Sequence, residues 1–374
     1  MIDIAVTFEV SVGLMGQMST VSYAVAVIFG LFMGILSVRF GRKLLLIAGL
    51  LFITISALGC FFASNFELML IFYSLTGVGT AMVFPMATTL VGEHFPLDKR
   101  GNAVGWIIAA GSLSYLIGAP TIGFIAGIGG WRFTLLGFVI PISLGSLLLA
   151  SIGLPRSKPG DKQEIGRGLI LESFKEVLSD RSALACLVGH VLRMAAFMAV
   201  LIYGVSFFRQ GFSVSVDFSS GVVIGAALCY TLGSLAAGRL VNSLGRKTVT
   251  VVTTFLAGVI TIFFVHLLSL WLSLALFILA AWFFGMASSA ANSLSLEQTP
   301  RFRGTMMSLN SAAISLGNAV GSALGGLMLV LFDYGVMAST LGVMGIIATL
   351  VFFFLTIDVA SPSNSAGSEA RETG

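Results

Sequence analysis

Apolar residues in this chain fall in runs of about 20, without strict alternation, separated by short polar stretches. The runs lie at roughly 18–38, 44–63, 67–91, 103–127, 132–154, 184–208, 218–241, 248–267, 271–294, 305–331 and 336–357. Each is long enough for a helix to cross the hydrocarbon core of a bilayer. A membrane barrel would instead alternate with a period of two. The pattern predicts eleven membrane-spanning helices in an all-α polytopic protein. One connection is long: residues 155–183 are charged, open with Pro155 and Pro159, and carry a short surface helix near 169–178. This linker divides an N-terminal half of five spans (1–154) from a C-terminal half of six (184–357). Residues 358–374, rich in Ser, Gly, Ala and Glu, read as a disordered tail.

The polar punctuation repeats. The stretch Gly34–Lys43, GILSVRFGRK, has a second copy, GRLVNSLGRK, at Gly238–Lys247. Aligning them matches Gly34 with Gly238, Leu36 with Leu240, and Gly41-Arg42-Lys43 with Gly245-Arg246-Lys247. The same offset pairs Phe8-Glu9-Val10-Ser11-Val12 with Phe212-Ser213-Val214-Ser215-Val216. A neighbouring register pairs Arg100-Gly101 with Arg303-Gly304, and Gly118 and Gly123 with Gly321 and Gly326. Two matching halves imply a duplicated architecture. The second copy of the outer loop follows a complete span, 184–208, whereas the first has almost no chain before it. Two six-helix halves, the first lacking its opening helix, are therefore expected. A mis-chosen start or truncated gene and a genuine eleven-helix protein are the two ways this arises.

Composition agrees with a membrane protein. The chain is 57% hydrophobic and 10% charged, with a mean hydropathy of +1.03. A soluble domain carries about 25% charged residues. The net charge of +4 does not mark a nucleic-acid binder, because the basic residues sit in short loops. Of the 20 basic residues, all but Arg132, Arg193 and Arg209 fall on one side of the expected topology. The positive-inside rule makes that side cytoplasmic, together with the linker and the C-terminus. Trp131, Trp271 and Tyr334 at outer span ends suit an interfacial aromatic belt. Cys60, Cys186 and Cys229 form neither a disulfide framework nor a metal spacing. No phosphate-binding loop, zinc spacing or nucleophile elbow occurs, so an enzyme, a cofactor and a metal site are not expected.

The duplicated loop resembles that of the major facilitator superfamily, G-x-L-x-D-R-x-G-R-K, and the resemblance covers residues 1 to about 357. Gly34, Leu36, Arg39, Gly41, Arg42 and Lys43 match it. Val38 and Asn242 stand where the family usually has Asp, which removes a member of the charge relay that the resemblance would imply. Gly118-Ala119-Pro120-Thr121-Ile122-Gly123 is similar to the antiporter signature of the fifth family helix, with only Pro120 and Gly123 matching its core. Close helix packing explains the same residues. Tyr73 occupies the place of an arginine that the proton antiporters associate with proton transfer. The later glycine pattern, through Gly325-Gly326, is similar to bacterial drug and metabolite efflux members.

Charged groups inside the spans are few, and such groups are functional candidates. None of the spans holds a deep Asp or Glu. Arg193 lies nine residues into its span, with His190 one turn earlier on the same face. Both are candidates for contact with an anionic or polar substrate, or for coupling. Tyr73, Trp106 and Asn292 are further candidates for lining a cavity, with packing as the alternative for each. The resemblance implies a multi-pass cell-membrane transporter. It would act as a monomer on a small amphipathic molecule by alternating access, in the export direction, with protons as a candidate coupling partner. A non-transporting remnant or sensor that keeps the fold is the alternative.

Overall fold

In the computed structural model, residues 2–94, 97–154, 167–267 and 269–358 are described. Pro155, Pro159 and nearly all of the C-terminal tail lie outside them. The helices are α1 (Ile2–Phe8), α2 (Val12–Phe40), α3 (Arg42–Phe62), α4 (Phe66–His94), α5 (Leu97–Thr134), α6 (Ile140–Gly153), α7 (Arg167–Ser179) and α8 (Arg181–Gly211). They continue with α9 (Val216–Leu244), α10 (Arg246–Phe263), α11 (Leu270–Leu296), α12 (Arg303–Leu331) and α13 (Tyr334–Leu355). No strand occurs among the described residues. Ten helical stretches among them are long and apolar enough to cross a membrane.

The sequence predicted eleven spans. The difference lies in one helical run, where Pro120–Gly153 is continuous enough to count once. Within it, Gly130 adopts φ 78° and ψ 179°, a conformation essentially reserved for glycine, and kinks the run. A π-helical turn, Leu135–Val139, then leads into α6. The expected boundary between 127 and 132 is thus a glycine kink rather than a loop. The expected linker helix is α7.

Large apolar side chains cover the outside. Phe62, Leu149, Ile152 and Phe354 are all more than 70% exposed, and many Leu, Ile and Phe side chains join them. Exposed apolar surface on this scale fits a lipid solvent rather than water.

The chain forms two compact units. The first comprises Met1–Gln163, Ile202–Ala227 and Asn318–Asp333. In it α3 packs on α4 and α6, and α2 on α4. These helices meet through small residues: a Cβ on Gly77 would collide with the Ser22 carbonyl, and one on Gly49 would lie 2.8 Å from Met82 Cβ. Close backbone approach of this kind drives helix association where lipid offers no hydrophobic force. The second unit comprises Glu164–Leu201, Leu228–Gly317 and Tyr334–Gly374, with α10 packed on α11 and α13. There Gly285 leaves no room for a Cβ against the Tyr230 carbonyl. Residues Ser22 and Tyr230, like Gly77 and Gly285, stand 208 positions apart, so the same kind of crossing occurs in each unit.

Backbone conformation carries the repeat further. Glu9 and Ser213, matched in the sequence, have φ 54° and 52° and are the non-glycine residues with positive φ among those described. Ser11 and Ser215, also matched, cap α2 and α9 by accepting from Leu14 N at 3.3 Å and Phe218 N at 3.2 Å. Gly41 (φ 78°, ψ 148°) and Gly245 (φ 85°, ψ 153°) join α2 to α3 and α9 to α10.

Candidate functional site

The glycine-hinged loops are built alike. In the first unit Lys43 Nζ donates to the carbonyls of Ser151, at 3.1 Å, and Leu154. Those carbonyls end α6. In the second unit Lys247 Nζ donates to Thr356 O at 2.7 Å, just past the end of α13. Helix C-termini leave carbonyls unsatisfied and carry partial negative charge, so a lysine there neutralises both. Lys247 N also donates to Asp358 Oδ2 at 3.2 Å, and Arg246 Nε to Ser293 Oγ at 3.0 Å. Gly238 sits in α9 with open space where a Cβ would go. Gly34 and Arg39 belong to α2, but their immediate surroundings, like those of Val38 and Asn242, lie outside the described residues.

The first unit carries an open cavity of about 710 Å³. Its walls are mostly apolar: Met18, Ile53, Met69 and Val223 among others, with Tyr73, Ser56 and Thr76 adding hydroxyls. Gly118 and Gly123 of the fifth-helix motif both line it. A Cβ on Gly118 would meet nothing within 4 Å, whereas one on Gly123 would strike Ser220 Oγ. Gly123 therefore serves close packing, and Gly118 leaves volume to the cavity. Pro120 falls between them inside α5, where it withholds one backbone donor from the helix.

One acid, Asp3, lines the cavity. Arg209 holds it at 3.3 Å through two nitrogens. Burial pushes the Asp3 carboxyl up, but hydrogen bonds and charge from Arg209 outweigh it and leave the group below the usual carboxylate range. Nearby, Arg132 Nη2 donates to Ala63 O at 2.8 Å and stacks over Trp131 at 4.8 Å. Tyr203, fully buried, donates to Ser322 O at 3.0 Å, while Thr20 and Ser322 hydroxyls pair at 2.9 Å. Long-range contacts of this sort have no local signature in the sequence.

The second unit holds Arg193 and His190 together, as their spacing predicts. Helix α8 begins at Arg181, ahead of the span start read at 184, and both side chains are fully buried. Arg193 Nη2 approaches His190 Nδ1 at 3.3 Å. A guanidinium only donates, so Nδ1 accepts and the imidazole is neutral. His190 Nε2 then carries the hydrogen and donates to Ser295 Oγ at 3.1 Å. Among the described residues, Arg193 Nε and Nη1 have no hydrogen-bond partner.

The remaining candidates separate. Tyr73 lines the first unit's cavity. Asn292 is in the second unit, where its Oδ1 accepts from Asn310 Nδ2 at 2.9 Å, a helix–helix hydrogen bond between side-chain amides. The side chain of Trp106 lies outside the described residues. The sequence reading missed Gln298, which accepts from Ser182 Oγ and donates to Leu294 O at 3.2 Å and Ile357 O at 3.0 Å. Ile357 N returns to Ser182 Oγ at 2.8 Å, closing a ring that ties α8, α11 and the end of α13. A glutamine in a loop gives no periodic signal.

Long apolar helices in a duplicated arrangement, with an apolar cavity in the first unit, fit a membrane transporter. The family model of the Major Facilitator Superfamily matches residues 1–229 and again 191–374, and the chain belongs to that superfamily. It is a membrane transport protein acting on small molecules, not an enzyme. Multidrug resistance protein 2 of Bacillus subtilis (strain 168) is 27% identical over 318 residues, covering 80% of this chain and 74% of that protein. The uncharacterized MFS-type transporter YceJ of the same organism is 25% identical, covering 86% and 81%. A crystal structure of a D-xylose-proton symporter superposes with a TM-score of 0.76 at 18% identity, covering 93% of this chain and 89% of that one. This last likeness concerns the fold.

Proposed function

We propose that the chain exports small amphipathic compounds by alternating access, as a monomer in the cell membrane with its C-terminus in the cytoplasm. The observation that carries this is the first unit's cavity of about 710 Å³. Its volume falls in the range of small-molecule sites, about 300–1,000 Å³. Its walls are apolar and adaptable, with Met18 and Met69 beside Tyr73. Thioethers re-pack at little cost, which suits ligands of varied shape. Similarity to Multidrug resistance protein 2 supports the same reading. The division into halves of 1–154 and 184–357, joined by the 155–183 linker, is the arrangement that alternating access uses.

The test uses everted membrane vesicles from cells with and without the chain, and ethidium as the amphipathic probe. Chain-dependent ethidium accumulation is the expected result, larger with an imposed pH gradient if protons drive the cycle. Accumulation equal in the two vesicle types overturns the proposal, and the same accumulation with and without the gradient removes proton coupling.

A further inference from the structure

Arg193 presents an imbalance that the export reading does not use. Its guanidinium is fully buried, yet only Nη2 has a described partner, and that partner is the neutral His190. Buried guanidinium groups are paired almost without exception, because removal from water costs several kcal/mol per ion unless an opposite charge and hydrogen bonds replace the lost hydration. Among the described residues no buried side chain is a carboxylate. The described residues thus keep a buried cation with two nitrogens open and supply no buried anion for it.

The surroundings say what sort of anion fits. His190, Arg193 and Phe197 lie at spacings of three and four, on one face of α8. Phe197 stacks on Tyr230 with ring centres 5.1 Å apart, and approaches Phe284 at 5.0 Å. His190 meets Phe352 edge-on at 6.0 Å. Tyr230 is within electrostatic reach of the guanidinium. An anion at Arg193 would have Phe197 one turn away on the same helix face. An inorganic anion would leave that ring unused, whereas a carboxylate on an apolar frame would use both. The His190 acceptor holds the guanidinium plane, and Ser295 fixes the imidazole tautomer behind it.

We propose that Arg193, positioned by His190, is a binding site for a small carboxylate with an apolar body. The site is in the second unit and goes beyond the export reading, which rests on the cavity of the first. Full burial means that a ligand enters only when the helices of this unit part.

Equilibrium binding tests this without transport, so failure here leaves the export reading standing. The full chain, purified in detergent, is titrated with benzoate and with its uncharged counterpart benzamide, reading the thermal midpoint. Benzoate is expected to raise the midpoint saturably, and benzamide to bind at least about tenfold more weakly. Arg193→Met removes an unmatched buried charge, so it should raise the midpoint of the ligand-free protein and abolish the benzoate response. His190→Gln, which retains an acceptor, should keep benzoate affinity near the parent's, while His190→Leu weakens it by about tenfold. Equal responses to benzoate and benzamide overturn the proposal, and that comparison needs no variant. A benzoate response retained in Arg193→Met, or a lowered midpoint or loss of folded protein in that variant, also overturns it. Equal affinities for His190→Gln and His190→Leu remove His190 from the site.

Discussion

Two glycines of the duplicated loop, Gly245 and Gly238, differ in backbone conformation. Gly245 has φ 85° and ψ 153°, and a Cβ there would meet only Asp358 Oδ2 at 3.4 Å, an ordinary contact. Space is not the obstacle to a side chain; the conformation is. This region is essentially closed to L residues, and occupying it costs about 1–3 kcal/mol. Gly238, seven residues earlier in the same motif, is helical and equally open. Alanine there should gain about 0.5–1 kcal/mol through reduced unfolded-state entropy. With an unfolding entropy of about 2.1 cal/mol/K per residue, this chain would change by about 0.8 kcal/mol per kelvin at its midpoint. Gly245→Ala should then lower Tm by about 1–4 °C, and Gly238→Ala raise it by about 1 °C. Gly41 (φ 78°, ψ 148°) also has nothing within 4 Å of a built Cβ, so Gly41→Ala should reproduce the loss. The assay is thermal unfolding of the four proteins, parent included, in one detergent. If Gly245→Ala and Gly238→Ala shift Tm alike, the conformational argument is wrong.

Other outcomes follow from the same contacts. Lys247→Ala leaves the Thr356 carbonyl without its lysine and should cost up to about 2 kcal/mol, with Lys247→Arg recovering part of it, both read by thermal unfolding. Arg42→Ala should lower transport rate more than substrate affinity, and equal transport by variant and parent in proteoliposomes would contradict this. Gly285→Ile forces a side chain against the Tyr230 carbonyl and should destabilise by about 1–3 kcal/mol or prevent folding, seen as loss of the monodisperse peak in gel filtration. The Asp3 carboxyl is held below its ordinary value of 3.8, so its pair with Arg209 contributes fully above that value and loses its contribution as pH falls through the folded-state value. As an exposed pair it is worth about 0–1 kcal/mol. The Tm difference between parent and Asp3→Asn should therefore be constant near neutrality and shrink only below pH 3.8.

Much of this architecture is legible in the letters because lipid imposes a simple code. A run of about 20 apolar residues has one stable form in hydrocarbon, so the spans could be read from hydropathy. The repeat was legible at Gly41 and Gly245 because their backbone conformation excludes other residues. Arg193 stood out because buried charge is rare in a membrane. The kink at Gly130 was not legible, since the same glycine could end a helix or bend it. Nor were the carbonyl partners of Lys43 and Lys247 or the ring around Gln298, which depend on packing between segments distant in the chain. Asn292, a polar residue in a span read as a cavity candidate with helix packing as the alternative, hydrogen-bonds Asn310. The role of Gly118 in the cavity emerged only from space around it, because glycines that pack and glycines that leave room look identical in sequence.

The most direct test of the central claim is ethidium transport in proteoliposomes containing the parent or Gly118→Leu, measured as initial rate against dye concentration. A Cβ at 118 meets nothing within 4 Å and the position lines the cavity, so leucine there should leave Tm near the parent's while raising the half-saturating concentration by about tenfold. No ethidium movement by the parent, or identical saturation curves for the two proteins, would contradict export through this cavity.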